Sequence, residues 1–183
     1  MAKLGISNLL DLLLPRYCLC CDAPLLDSPR RWLCVECLSR IEPLGPSPCP
    51  VCAGRLGPGA APSTCRDCRR LRPRFDGAVA VGRYEGLFRE LIPRFKYARE
   101  ASLAWPLGEL LADTLLLWPR LPEADVIVPM PLGLGRRLRR GFNQAELLAG
   151  EAARRLGLPL LRRALVRKRG AARQAGLSRT DRL

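Results

Sequence analysis

The chain has no histidine among its 183 residues. That excludes Ser-His-Asp and Cys-His catalysis and removes imidazole as a metal ligand. Long apolar runs are missing too. A membrane span needs about 18 uninterrupted apolar residues; the best candidate, residues 110–118, is broken by Asp113 and followed by Pro119. Acidic residues are scarce, 17 against 31 basic ones, so the net charge is +14. Aromatic residues make up only 5% of the chain, which limits base-stacking platforms. The opening residues are not expected to act as a secretory signal. Leu9, Leu10, Leu12, Leu13 and Leu14 form a short apolar stretch, but Asp11 interrupts it and no small-residue cleavage site follows. Residues 1–17 read as an amphipathic helix capping the next module, with weak membrane-surface contact as the lesser alternative. The expected compartment is the reducing cytoplasm, at most peripheral to the inner face of the membrane.

What the chain has is cysteine, nine in all. Eight fall in Cys-x-x-Cys pairs: Cys18/Cys21, Cys34/Cys37, Cys49/Cys52 and Cys65/Cys68. Each pair places two sulfurs on one turn, able to reach one ion at about 2.3 Å. Four pairs make two tetrahedral four-sulfur sites, a donor set that suits zinc; an iron–sulfur cluster is the alternative. Disulfides would need an oxidising compartment, and a redox Cys-x-x-Cys is normally single and near a βαβ pattern. Twelve residues separate Cys21 from Cys34 and Cys52 from Cys65, which reads as a duplicated ribbon. Sequential pairing then gives Cys18, Cys21, Cys34, Cys37 on one ion and Cys49, Cys52, Cys65, Cys68 on the other. Cross-bracing would join the first pair to the third. Cys20 reads as a free thiol beside a ligand, although it could replace a neighbour.

Pro and Gly crowd residues 43–62, leaving little apolar core, so metal must supply folding energy there. The zinc module is expected over residues 1–72, with Pro73 at the boundary and a second domain over 73–183. Apolar content of 48% marks the whole as globular. In the second domain, residues 78–81 and 126–128 read as strands, and 159–166 as a further one. Residues 87–97 and 103–118 read as helices, the first strained by Pro93. A third helix starts at Asn143, with Glu146 in capping-box position, and ends at Gly157. Strand–helix alternation argues α/β with a parallel sheet.

The segment after the 126–128 strand is the most chemical part. It runs through Pro129, Pro131, Arg136, Arg137, Arg139, Arg140, Gly141, Phe142, Asn143 and Gln144. A loop between a strand's C-terminal end and a helix N-terminus is where α/β folds bind anions. Arginine adds bidentate phosphate recognition, and Gly141 admits close backbone approach. From Met130 onward there are fourteen basic and three acidic residues, which points to a polyanion or a phosphorylated small molecule. The bland alternative is an arginine-rich composition, since Lys3, Lys96 and Lys168 are the only lysines.

These residues resemble the ComF family of competence proteins. The double ribbon comes first. An Arg94-Phe95-Lys96-Tyr97 stretch follows, then Pro129 to Pro131, the run from Arg139 to Ala149, and a late segment with Lys168, Gln174, Leu177 and Arg182. The resemblance implies a type I phosphoribosyltransferase-like parallel-sheet domain behind two structural zinc ions. It implies a role in natural competence, with single-stranded DNA and the uptake machinery as partners. Phosphoribosyl transfer in nucleotide metabolism, with Mg²⁺ and phosphoribosyl pyrophosphate, is the alternative. Phosphate-contact candidates are Lys96, Arg136, Arg140, Gly141, Asn143, Gln144 and Arg173, the last on a closing loop. The family's Asp-Asp-x-x-Thr-Thr-Gly motif does not occur in this sequence. The second domain is therefore expected to be incomplete, with an exposed apolar edge, and the chain as written to be inactive in phosphoribosyl transfer.

Overall fold

The computed structural model of the protein describes residues 15–25, 28–45, 48–56 and 64–167. The first ribbon opens with a tight turn closed by an antiparallel bridge between Tyr17 and Pro24. Its second knuckle leads into α1 (Val35–Ser39). The second ribbon repeats each feature 31 residues on: a Pro48–Arg55 bridge matches the first, and α2 (Arg66–Leu71) matches α1. Asp22 and Ala53, also a matched pair, both take positive φ (57° and 55°) at the turn. One local sequence pattern thus folds twice into one local geometry.

Four longer helices follow the ribbons. α3 (Gly86–Tyr97) buries Leu87, Phe88, Leu91 and Phe95, a spacing that keeps them on one face. Pro93 sits inside it, where it removes one N–H from the helical ladder. After a 3₁₀ turn, Ala101–Leu103, comes α4 (Ala104–Leu116), which carries Pro106 in its first turn, where proline is tolerated. α5 (Leu134–Arg140) ends on Gly141 at φ 85°, and α6 (Gln144–Leu156) ends on Gly157 at φ 68°. Both are left-handed C-terminal positions that glycine takes without Cβ strain.

α4 and α6 form the main helix pair. Gly108 makes their close approach possible, since a Cβ there would lie 2.6 Å from the Cβ of Glu151. The pair is also tied by charge. Glu109, only 7% exposed, accepts from Arg155 at 2.6 Å and lies 3.4 Å from Arg30 of the first ribbon. Arg30 also bonds Asp113.

The principal core mixes the two halves of the sequence. Cys18, Leu25, Leu33, Cys34 and Cys37 of the first ribbon join Leu87, Leu91, Phe95, Leu103 and Leu107 in one buried cluster. Backbone bonds staple the ribbon's exit to α3: Arg83 N–H donates to the Glu42 carbonyl (2.8 Å), and Leu87 N–H to the Arg40 carbonyl (3.1 Å). Gly86, at φ 48°, lies so close to the Arg40 carbonyl that any side chain would collide with it.

The expected strands are largely not formed among the described residues. Ile127 and Leu160 make a single parallel bridge, with Ile127 N–H donating to Pro159 O and Leu161 N–H to Ile127 O. Beyond Leu161 the chain turns, so the expected strand over 159–166 is reduced to one bridge residue. Residues 78–81 form no ladder at all. An apolar run becomes a strand only when a neighbour takes up its backbone groups, and no described segment makes a ladder with 78–81. The basic segment expected as a loop instead contains helix α5. Val126, Val128 and Met130 are exposed, along a groove of about 410 Å³ between this edge and α4 and α6. No described helix is long and apolar enough to cross a membrane. The expected helix over residues 1–17 lies almost wholly outside the described residues.

Candidate metal centres and basic face

The eight paired thiols gather into two groups, Cys18, Cys21, Cys34, Cys37 and Cys49, Cys52, Cys65, Cys68, each with its sulfurs within 4.8 Å of one another. This is the sequential grouping. Cys21 and Cys34 sulfurs stand 3.6 Å apart, and Cys52 and Cys65 sulfurs 3.8 Å. A tetrahedron with metal–sulfur bonds of about 2.3 Å has edges of about 3.8 Å. No disulfide joins any of the nine cysteines. Both sites therefore fit a structural zinc ion held by four sulfurs, closed to substrate.

Backbone N–H groups prepare these sulfurs for metal. Cys34 caps α1 and accepts from Cys37 N–H; Cys65 caps α2 and accepts from Cys68 N–H, each at 3.4 Å. Cys18 accepts from Cys34 N–H, and Cys49 from Cys65 N–H, the same bond in both repeats. Burial pushes Cys18 and Cys49 upward, but donation from several backbone N–H groups outweighs it and brings them down to about 7 and about 6. Desolvation dominates at Cys34, Cys37 and Cys68, which are raised. A bound cation would offset that desolvation, which is how four buried thiolates coexist.

Cys20 lies outside both groups. Its thiol donates to Glu90 on α3 at 3.3 Å, and burial, reinforced by that carboxylate, raises it to about 11. Glu90 in turn accepts from Arg40 at 2.6 Å. Arg94, also on α3, donates to the carbonyls of Leu19 and Cys20 at 3.1 and 3.0 Å while its guanidinium grips Glu100. The first knuckle is thus held by a clamp that spacing rules do not reveal. Its only sequence signal is an arginine beside Phe95 and Lys96.

The basic face is built on α5 and the start of α6. Within seven residues α5 carries Arg136, Arg137, Arg139 and Arg140 and no acid. Arg137 and Arg139 are exposed; Arg136 and Arg140 are half-buried. Arg99 donates twice to the Arg139 carbonyl, fixing the helix end. Arg140 donates to the Gln144 side-chain oxygen at 2.9 Å and lies 5.1 Å over the Tyr97 ring, a cation–π contact. Asn143 is occupied locally: its oxygen caps Ala145 N–H, and its amide donates to Met130 O. Glu146 does not complete a capping box but sits 3.3 Å from Arg162. Phe142 stacks on Phe95 at 5.5 Å, anchoring this turn to the core.

Of the phosphate-contact candidates, the structure brings Arg140, Gly141, Asn143 and Gln144 together at one turn. Lys96 shares a cleft with Gln144. Arg136 lies a turn back on α5, and Arg173 lies outside the described residues.

Two four-sulfur sites, each built from two Cys-x-x-Cys knuckles, define a double zinc-ribbon protein, and the family described as the double zinc ribbon domain matches residues 9–69. Among curated relatives, the chain is 33% identical over 171 residues to the DNA utilization protein YhgH of Salmonella typhi, covering 91% of this chain and 73% of the relative. It is 36% identical over 123 residues to competence protein F of Haemophilus influenzae, 64% of this chain and 53% of the relative. It is 31% identical over 162 residues to competence protein ComFC of Bacillus subtilis, 79% and 65%. The chain belongs to the ComF family of competence proteins. No solved structure matches it.

Proposed function

We propose that this protein handles single-stranded DNA in natural competence, on the cytoplasmic side, using its zinc ribbons as scaffold and its basic face as contact surface. The observation that carries this reading is α5, four arginines in seven residues with no acid among them. Relatives named for competence and for DNA utilization support it. Closed four-sulfur sites would fold and hold rather than react. In this reading residues 1–72 are the zinc module and 73–183 a phosphoribosyltransferase-like domain, with the uptake machinery as the protein partner.

Affinity would be chiefly electrostatic. Four phosphate contacts on a single strand predict a log–log salt slope of roughly −3, a loss of roughly 50-fold between 50 and 200 mM salt. Fluorescence anisotropy with a labelled oligonucleotide measures it. Arg137→Glu with Arg139→Glu reverses charge at two exposed sites and should flatten the slope by roughly half. Absence of binding at low salt would sink the reading.

A second reading is favoured by the parallel Ile127–Leu160 bridge, which places the basic segment beyond a strand-like end. There the face would take the pyrophosphate of phosphoribosyl pyrophosphate, with Mg²⁺. Arg140→Ala should then abolish calorimetric binding of pyrophosphate; unchanged heats would remove that assignment.

A further inference from the structure

One cleft is not explained by the basic face. It lies between α3, α4 and the start of α6, holds about 310 Å³, and is lined by Tyr84, Phe88, Ile92, Lys96, Leu111 and Gln144 among others. That volume is within the range of small-ligand sites. Its lining is mainly apolar, and its polar members are Arg83, Tyr84, Lys96 and Gln144. Gln144 is 7% exposed, and its side-chain nitrogen is buried without a hydrogen-bond partner. Its oxygen is already taken by Arg140, so the unpartnered atom is the donor. A buried donor without a partner is costly; a small turn of the Gln144 side chain that uncovers this nitrogen to the cleft would let a ligand acceptor satisfy it.

The mouth of the cleft is cationic and aromatic. Lys96 is exposed there, and Arg83 lines it while pairing with Glu85. Tyr84 is 60% exposed and lines the cleft, so part of its ring is open to a stacking partner. No acidic residue is among the described residues lining it. The occupant this chemistry selects is a flat heterocycle that presents a carbonyl acceptor inward and a negative charge outward.

We propose that this cleft binds a nucleobase carrying a phosphate, with the Gln144 amide donating to a base carbonyl, Tyr84 offering a stacking face, and Lys96 meeting the phosphate. The cleft gives the single-stranded DNA reading a base-receiving site beside the arginines of α5, and rests on that reading where the base belongs to a strand. A free mononucleotide has the same chemistry, and the test separates the two sources.

The test compares labelled oligothymidylate with an abasic oligonucleotide of equal length, and adds thymidine monophosphate as competitor. The abasic strand should bind roughly tenfold more weakly, since each stacked base contributes on that scale. Ile92→Phe, which fills the cleft, should lower oligothymidylate affinity to the abasic level and leave abasic binding unchanged. Gln144→Glu keeps a partner for Arg140 but turns an acceptor toward the base, so it should weaken oligothymidylate roughly tenfold even if Ile92→Phe fails to fold. Equal affinity for both strands, with no competition by the mononucleotide, overturns the cleft as a base site while leaving the basic face intact. If neither strand binds but the mononucleotide does, and the variants abolish it, the cleft stands as a free-nucleotide site and the DNA reading falls. If nothing binds, both fall.

Discussion

The two zinc ribbons share one local blueprint and differ in where they are anchored. The first places Cys18, Cys34 and Cys37 in the main hydrophobic core beside Leu87, Leu91 and Phe95. The second has buried sulfurs at Cys49 and Cys68, yet none of its described residues belongs to that cluster. The matching position of Cys20, bonded to Glu90, is Val51, half-buried. Leu33, buried at the ribbon's heart, corresponds to Thr64, a smaller and polar side chain. The second ribbon does meet the rest of the chain at Pro50, whose carbonyl lies beside Gly77. Metal geometry is therefore a property of the repeat, while its contribution to global stability is a property of what it docks against.

The largest consequence is an asymmetry in metal loss. Structural zinc sites contribute about 10–16 kcal/mol of apparent folding energy in isolated peptides. Cys34→Ser should remove one zinc and, with it, the cooperative melt of the α3–α4–α6 body, because the ribbon is part of that core. Cys65→Ser should also remove one zinc but leave that melt within a few degrees. Zinc content by colorimetric titration and thermal circular dichroism check both. Equal loss of the melt in both variants would mean that the ribbons are equally integrated.

A smaller effect is expected at the clamp. Arg94→Met keeps the aliphatic stem but removes the donors to Leu19 O and Cys20 O and the pair with Glu100. Losing hydrogen bonds from a charged group costs about 1.5–3 kcal/mol, a fall in melting temperature of about 4–10 °C in a chain of this size. The second ribbon shows no comparable clamp among its described residues, so the drop should persist at full size in a Cys65→Ser background. Trp105→Ala acts on the same interface by removing the ring stacked on Trp32 at 4.6 Å. It should cost about 2 kcal/mol, since part of that ring is already in solvent.

What could be read from the sequence divides along the same line. Eight ligands, their grouping and the duplicated spacing follow from a local rule, in which two sulfurs on one turn meet one ion. Helix limits were legible where caps are chemical, as at Asn143 and Gly157. The expected helix over 103–118 and the observed Ala104–Leu116 differ only at the ends, where a 3₁₀ turn replaces the start. Docking was not legible, because it depends on pairs far apart in the chain, such as Arg94 with Leu19 or Arg30 with Asp113. The strands failed for the same reason. Residues 78–81 have the composition of a strand, but a ladder is made between segments, and composition does not supply the partner. At the basic segment, four arginines and Gly141 suggested a ligand-binding loop, whereas α5 forms because Gly141 can end a helix there.

The finest comparison is a single position. Cys20→Val gives the first ribbon the residue that stands in the second. The thiol is buried, is pushed up to about 11 by that burial, and points to Glu90 rather than into the four-sulfur group. Valine keeps the packing and removes a weak S–H donor and a long contact from Arg40 to the sulfur (3.9 Å). Glu90 retains Arg40 at 2.6 Å and Arg94 at 3.7 Å, so its carboxylate is not left unpaired. The expected cost is at most about 1 kcal/mol, with two zinc ions still bound per chain. Loss of a zinc from this variant would show that Cys20 shares in holding the first ion. Unchanged zinc with an unchanged melt would place the first ribbon's added stability in Leu33, Arg94 and the shared core rather than in the ninth thiol.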